Sequence, residues 1–406
     1  MKGKTEKQKL VLVGNGMAGM RTVEELLELA PDLYEITVFG AEPFGNYNRI
    51  QLSPVLANEK TVDEIMLNTV EWYAENGITL YKGDPVIRID RARRQVVSQS
   101  GLKVPYDRLI LATGSNPFVL PLPGTELEGV LSYRDIRDVE AMIEAAGRGR
   151  HAVVIGGGLL GLEAAHGLQK QGMEVTVVHL SGALMERQLD STASSMLEAT
   201  LRERGLEFKK PALTESILGE QRVEGVRFKD VSEIPADLVV MAVGIRPNVE
   251  LAEASGLACE RGVLVSDTMQ TFDPRIYAVG ECAQHRQVCY GLVAPLFDQA
   301  SVVANHLAEF GIGEYRGSQT STKLKVTGID LFSAGDFNGD ETADVLSFSD
   351  RARGIYKKLV VKNNRITGAV LYGDTSDGPW YFRLLQDGTD IAGFREDVLF
   401  GQALQA

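Results

Sequence analysis

Short, mostly apolar runs punctuate this chain. Residues 9–13, 36–39, 109–111, 151–155, 174–178, 237–243 and 276–279 are dominated by Val, Ile, Leu and Ala. Runs this short, most of them with little polar alternation, predict strands of a parallel sheet covered on both faces. Between them, residues 21–29, 163–170 and 292–310 carry helical spacing, the last begun near Ala294 and Pro295. Alternating strand and helix predicts an α/β fold. Residues 98–107 predict a hairpin or sheet edge, and Pro117, Pro121 and Pro123 make 116–123 an extended crossover into a new domain. After about residue 318 the pattern changes. Residues 323–326, 345–348, 355–361 and 366–371 alternate or run apolar between Gly-Asp turns, which predicts a small α+β domain with its own core.

Two of the strands lead directly into a glycine turn and then a helix. The first turn is Gly14-Asn15-Gly16-Met17-Ala18-Gly19 and the second is Gly156-Gly157-Gly158-Leu159-Leu160-Gly161. In such a turn the first glycine permits the sharp bend, the second lets backbone approach a pyrophosphate, and the third lets helix pack on strand. The phosphates then lie on free N–H groups at the positive helix end. One such turn is a moderate signal. Two of them, about 140 residues apart, predict two nucleotides or one dinucleotide on each of two similar domains. The expected architecture is two doubly wound Rossmann-like nucleotide-binding domains plus the small C-terminal α+β domain.

Further residues fall where a dinucleotide would need them. Glu42 follows the second strand about 20 residues past the first glycines, the usual place of a ribose acceptor. The next loop is rich in aromatic and amide side chains, and its Arg49 could pair with a pyrophosphate or adenosine group. Ala112-Thr113-Gly114 is a small-residue turn that lets a second backbone segment lie close to the nucleotide. Gly280-Glu281 ends another strand with a carboxylate suited to a sugar-alcohol chain, and the helix entered at Pro295 could aim its N-terminus at a ring carbonyl. In the second unit the corresponding strand ends at His179-Leu180, not at an acid, which weakens any preference for a free 2′-hydroxyl. Arg187 could meet a 2′-phosphate, so NADPH stays open with NADH slightly ahead. His179 reads as a polar rim residue rather than a catalyst. Gly244 closes a further strand before the Arg246-Pro247 turn.

Composition narrows the class. The chain has 406 residues, 44% of them apolar and 24% charged, which fits two or three globular domains. No apolar run approaches the roughly 20 residues a bilayer needs, and residues 1–9 lack the apolar core of a secretion signal. A soluble cytoplasmic protein is expected. The net charge of −13 argues against nonspecific nucleic-acid binding. Cys259, Cys282 and Cys289 show neither metal-ligand spacing nor a Cys-x-x-Cys pair, so small buried residues are expected there rather than a redox pair. Arg351, Arg353, Lys357, Lys358, Lys362 and Arg365 cluster against Asp350 alone. That cluster is expected to be a solvated strand face or, more sharply, a docking patch for an acidic electron-transfer partner.

Taken together, Gly14-x-Gly16-x-x-Gly19, Ala112-Thr113-Gly114, Gly156-x-Gly158-x-x-Gly161 with Glu163, and Tyr277-Ala278-x-Gly280-Glu281 resemble the flavoprotein reductases with paired FAD and pyridine-nucleotide domains. The motifs also stand in that superfamily's order. The resemblance implies a discontinuous FAD domain at 1–120 and 243–317, an NAD(P) domain at 121–242 and a C-terminal interface domain at 318–406. It implies that Gly14, Gly16, Met17, Ala18, Gly19, Glu42, Arg49, Ala112, Thr113, Gly114, Gly280, Glu281 and Pro295 hold FAD. Gly156, Gly158, Leu159, Leu160, Gly161, Glu163, His179, Arg187 and Gly244 would hold NAD(P)H, with Glu163 positioning the nicotinamide. No side chain need act as nucleophile or base, because the flavin carries the chemistry.

A narrower resemblance rests on Glu42-Pro43, Tyr47-Asn48-Arg49, Leu52-Ser53, the run from Gly157 to Ala165, Gln188-Leu189-Asp190, Gly244-Ile245-Arg246-Pro247, the run from Gly291 to Pro295, and Gly373-Asp374-Thr375-Ser376-Asp377. These are similar to the N-terminal reductase portion of the NAD(P)H-dependent assimilatory nitrite reductase large subunit. In that family electrons pass from FAD to an iron–sulfur centre and then to sirohaem. No cysteine follows Cys289, so neither centre could be built here. A separate reductase component or a fragment of a longer protein is expected, with an electron-acceptor protein or fused iron–sulfur/sirohaem domain as partner and a homodimer allowed. Two departures stand out. Rubredoxin and ferredoxin reductases place a lysine, paired with the glutamate matching Glu163, where Ser53-Pro54 stands here. They also usually carry aspartate where this chain has Glu281. The alternatives weighed are an electron donor to rubredoxin, ferredoxin or a nitrate reductase subunit, a disulfide reductase or thiol peroxidase, and a flavin-bound redox sensor or scaffold.

Overall fold

The structure is a computed structural model that describes residues 7–324, 326 and 328–405. Its contacts divide the chain into two compact units. One holds the chain up to Ile50, with Val62–Asn116 and Ile245–Ser318. The other holds Gln51–Thr61, Pro117–Gly244 and the chain from Gln319 onward. Residues 51–61 belong with the second unit, where Gln171 donates to the Leu56 carbonyl at 2.7 Å. The C-terminal sheet joins the second unit as well.

The first unit is built on a five-stranded sheet ordered Ile276–Ala278, Arg108–Leu111, Gln8–Val13, Tyr34–Gly40, Thr79–Lys82. Every pairing is parallel. The chain starts in the middle, winds to one edge, then returns to the other side, so the order reverses between Gln8–Val13 and Arg108–Leu111. That reversal is where doubly wound sheets bind ligands, beyond the carboxyl ends of the strands. The expected hairpin is present as Gln95–Ser98 against Lys103–Pro105, within a three-stranded antiparallel sheet.

The second unit repeats the plan. Its parallel sheet runs Glu207–Lys209, Glu174–Val178, His151–Ile155, Leu238–Met241, Val130–Ser132. The central strand pairs Ile155 with Val178 on one side and with Met241 on the other. In both units the helix begins earlier than its apolar spacing indicates, at Met17–Leu29 and Leu159–Lys170. Helix and glycine turn are continuous, so the first helical turn is made of loop-like residues. Among the described residues, no helix is long and apolar enough to cross a membrane.

The C-terminal part is a five-stranded antiparallel sheet ordered Ser321–Lys323, Leu331–Gly335, Arg365–Tyr372, Ile355–Lys362, Asp344–Asp350, with the helix Gly378–Asp387. The strand expected at 323–326 lies at Ser321–Lys323 instead, and Lys325 is outside the described residues. The strand Leu331–Gly335 and the helix were not anticipated. The basic cluster also differs from expectation. Two lysines of Ile355–Lys362, Lys357 and Lys358, are largely buried, so their charges need partners. Lys357 is 6% exposed and pairs with Asp374 at 2.7 Å and Asp377 at 3.3 Å. Lys358 meets Asp190 at 3.4 Å and Lys362 meets Asp340 at 2.7 Å. The chain's own carboxylates take up Lys357 and Lys358, which leave the expected patch, whereas Arg351, Arg353 and Arg365 are exposed.

Candidate functional site

In the first unit, the strand Gln8–Val13 ends at Gly14, whose φ is +113°. A Cβ there would overlap the Ala112 carbonyl oxygen, so glycine is required where the two strand ends converge. Gly19 is packed tightly: a Cβ would lie 2.9 Å from both Ala112 Cβ and Leu12 Cδ1. Gly16 differs from both, because nothing of the protein lies within 4 Å of a Cβ placed on it. The space beside Gly16 is a cradle that a side chain would fill.

Helix ends sharpen the point. The helices Val70–Glu75, Ile136–Ala146 and Ser191–Glu203 are capped by the side chains of Thr69, Asp135 and Asp190. The helices Met17–Leu29, Leu159–Lys170 and Val293–Leu307 have no side-chain cap and no acid in the first turn. Uncapped N–H groups at a helix N-terminus suit an anion. The first two start at Met17-Ala18 and Leu159-Leu160, and Pro295 is buried in the first turn of the third.

Around the first cradle, Glu42 accepts from Tyr47 Oη at 2.7 Å and from Arg49 at 2.6 Å, and the guanidinium lies 5.2 Å from the Tyr47 ring centre. Arg49 is thus tied to Glu42. An ionised carboxylate has about four acceptor sites, so Glu42 keeps capacity for a ribose hydroxyl. Thr113 Oγ1 donates to Asn248 O at 2.7 Å, and Asn248 N donates to Gly114 O at 2.9 Å. Gly280 N donates to Gln299, which is 1% exposed, and Ser115 Oγ donates to Glu281 Oε2 at 2.6 Å. The longer acid at 281 is therefore held in place. Buried Cys282 points its thiol at the Leu111 and Val279 carbonyls. Burial pushes the thiols of Cys282 and Cys289 up, and that of Cys259 to about 11. None is a ready thiolate, which counts against disulfide or peroxidase chemistry.

The second cradle has the same construction. Gly156 has φ +125° and faces the Ala242 carbonyl, Gly161 packs on Gly156, and a Cβ on Gly158 would meet nothing within 4 Å. Gly244, at φ +116°, is equally open. Gly157 N donates to His179 Nδ1 at 3.1 Å, and Arg187 is exposed. Glu163, 5% exposed, accepts from Ser53 Oγ at 2.5 Å, and Tyr133 Oη donates to Ser53 at 2.9 Å. The position expected to lack an ion-pairing base thus supplies a hydroxyl donor, and burial holds the Tyr133 phenol protonated. Tyr133, Ser115, Asn248 and Gln299 were not anticipated from the sequence. Gln299 alone left a signal there, as an amide on the apolar side of its helix.

Both cradles fit a dinucleotide, as the open space at Gly16 and Gly158 requires no side chain to move. Residues 8–301 match the pyridine nucleotide-disulphide oxidoreductase family, and residues 321–389 match the rubredoxin NAD+ reductase C-terminal domain. The chain is 52% identical over 386 residues to a nitrite reductase [NAD(P)H] of Bacillus subtilis (strain 168), covering 95% of this chain and 48% of that protein. It is 47% identical to the assimilatory nitrate reductase electron transfer subunit of the same organism, covering 97% of this chain and 51% of that one. It therefore spans about half the length of these curated relatives. A ferredoxin reductase from Rhodopseudomonas palustris superposes with a TM-score of 0.87 at 27% identity, over 94% of this chain and 96% of that one. Putidaredoxin reductase in its covalent putidaredoxin complex gives 0.86 at 27%, over 95% and 94%. By the match over residues 8–301, this chain belongs to the pyridine nucleotide-disulphide oxidoreductase family, as an FAD-dependent oxidoreductase of NAD(P)H.

Proposed function

We propose that this chain is the electron-input part of nitrite reduction, taking electrons from NAD(P)H and delivering them to an iron–sulfur/sirohaem module or partner protein. The observation that carries the reading is the pair of like-built cradles, each with an uncapped helix and an open glycine. In this reading residues 1–120 and 243–317 form the FAD domain, 121–242 the NAD(P) domain and 318–406 the interface domain. Gly14, Gly16, Gly19, Glu42, Arg49, Thr113 and Glu281 hold FAD, and Gly156, Gly158, Gly161 and Glu163 hold the nicotinamide nucleotide. Bound FAD supplies the conversion between two-electron and one-electron transfer that no side chain can perform. The protein's own part is placement. Ser115 steadies Glu281, Asn248 braces the Thr113-Gly114 turn, and Tyr133 with Ser53 steadies Glu163.

A second reading is a reductase of rubredoxin, ferredoxin or a nitrate reductase subunit. The electron transfer subunit relative and the C-terminal match to rubredoxin NAD+ reductases favour it. A cytoplasmic location and a homodimer belong to both readings, and light scattering on the purified protein tests the latter. The decisive experiment is anaerobic. The purified protein should be yellow and lose its flavin absorbance near 450 nm (on the order of the usual band) when NADH or NADPH is added. Candidate acceptors offered next separate the two readings by which one restores the colour. A protein that stays yellow with both nucleotides overturns both.

A further inference from the structure

The strand Glu174–Val178 is followed by His179, where a ribose-reading acid is expected. Gly157 N–H donates to His179 Nδ1 at 3.1 Å. A backbone N–H can only donate, so Nδ1 is the acceptor and the neutral ring carries its proton on Nε2. Nε2 lies 2.9 Å from Glu186 Oε2, and the ring therefore donates to that carboxylate. Both nitrogens are engaged within the protein, and the histidine side chain is 12% exposed against 43% for Glu186. The segment bearing Glu186 is folded back on the glycine turn itself. Met185, at φ +51°, donates its N–H to Gly157 O at 3.0 Å. A Cβ on Gly157 would press within 2.9 Å of His179 Cγ and 2.8 Å of Leu184 Cδ2. Turn, ring and carboxylate form one hydrogen-bonded assembly at the carboxyl end of the strand.

We infer that Glu186, held by His179, reads the adenosine ribose and selects NADH against NADPH. The acid missing from the strand end is returned by a later loop residue. His179 occupies one of the roughly four acceptor sites of a carboxylate, which leaves the remainder for ribose hydroxyls. A 2′-phosphate would meet this anion instead, with like charge against like. His179 is a positioning residue here, fixing the carboxylate without touching the nucleotide. The inference rests on the second cradle being the NAD(P)H site.

The test is calorimetric titration of the FAD-loaded protein with NAD+ and with NADP+, which needs no turnover. The native protein should bind NAD+ more tightly by about tenfold or more, the size of one charge-assisted hydrogen bond. Glu186→Gln keeps an oxygen for His179 Nε2 but removes the charge. It should shrink the NAD+/NADP+ ratio by roughly tenfold, through gained NADP+ affinity, at unchanged flavin content. An unchanged ratio in Glu186→Gln overturns the inference. So does a native preference for NADP+ that disappears in Arg187→Gln. Failure of the FAD-loaded native protein to bind either nucleotide identifies a different fault, in the assignment of the cradle itself.

Discussion

Gly16 and Gly158 are the residues at which the two nucleotide assignments are most exposed to test, because the protein makes no use of the space beside them. A side chain there should leave folding intact and remove only the ligand. Gly16→Val is therefore expected to purify colourless with a native circular dichroism spectrum, and normal flavin content in it would refute the first assignment. Gly158→Val should stay yellow but bind NADH at least about tenfold more weakly. The opposite logic applies at Ser53, where the space is full. Ser53→Ala removes the acceptor of Tyr133 Oη and one donor to Glu163 in a buried setting. A cost of about 1–3 kcal/mol is expected, read as a lower urea midpoint with flavin content retained. The glycines were legible in the sequence because each is dictated by local backbone geometry. The Ser53 hydroxyl was not, since its partners Tyr133 and Glu163 lie 80 and 110 residues away along the chain.

At the scale of elements, the inner strands of the parallel sheets were readable as apolar runs, whereas Thr79–Lys82, Val130–Ser132 and Glu207–Lys209 are short and partly exposed and left no such run. The C-terminal sheet was readable only in part. Its strand Ile355–Lys362 carries Lys357 and Lys358, which look solvated until their burial beside Asp374, Asp377 and Asp190 is known. Leu331–Gly335 is only five residues long, so periodicity alone gave no purchase on it, whereas Gly378–Asp387 does carry an apolar face of Tyr381, Leu384 and Leu385 that was not anticipated. The buried Lys357 has a consequence for acid stability. Its bond to Asp374, helped by Ser376, lowers that carboxyl from 3.8 to about 2. A carboxyl with a folded pKa below its unfolded value binds fewer protons when folded. Its contribution is thus full above pH 3.8 and is lost as pH falls through about 2. In a Trp72→Phe background, Trp380 fluorescence should report a urea midpoint that falls across this window, and Asp374→Asn should flatten the fall. Lys357→Glu should destabilise the sheet, and protein and ferricyanide reduction should then drop together. A selective loss with the protein acceptor would place Lys357 itself in a docking surface.

For the molecule as a whole, the charge of −13 matters more than any single patch once an acceptor is still in solution. Positive groups are not absent, but many of them are spent internally: Lys357, Lys358, Lys362, Arg49 and Arg150 all face the chain's own carboxylates. The far field seen by an approaching acceptor is therefore set by the excess of Asp and Glu. Repulsion or attraction of this kind acts over about 10 Å at 0.1 M salt and only about 3 Å at 1 M. Two small acceptors of opposite sign isolate it, because neither needs a docking surface. With NADH saturating, reduction of the trianion ferricyanide should speed up as salt is raised from low ionic strength. Reduction of the trication hexaammineruthenium should slow down over the same range, each change being severalfold. The native acceptor can then be placed on the same axis: a rate that falls with salt marks a partner presenting a basic face to this acidic protein. Ferricyanide reduction that slows with salt would mean that a local positive field at the electron exit outweighs the net charge.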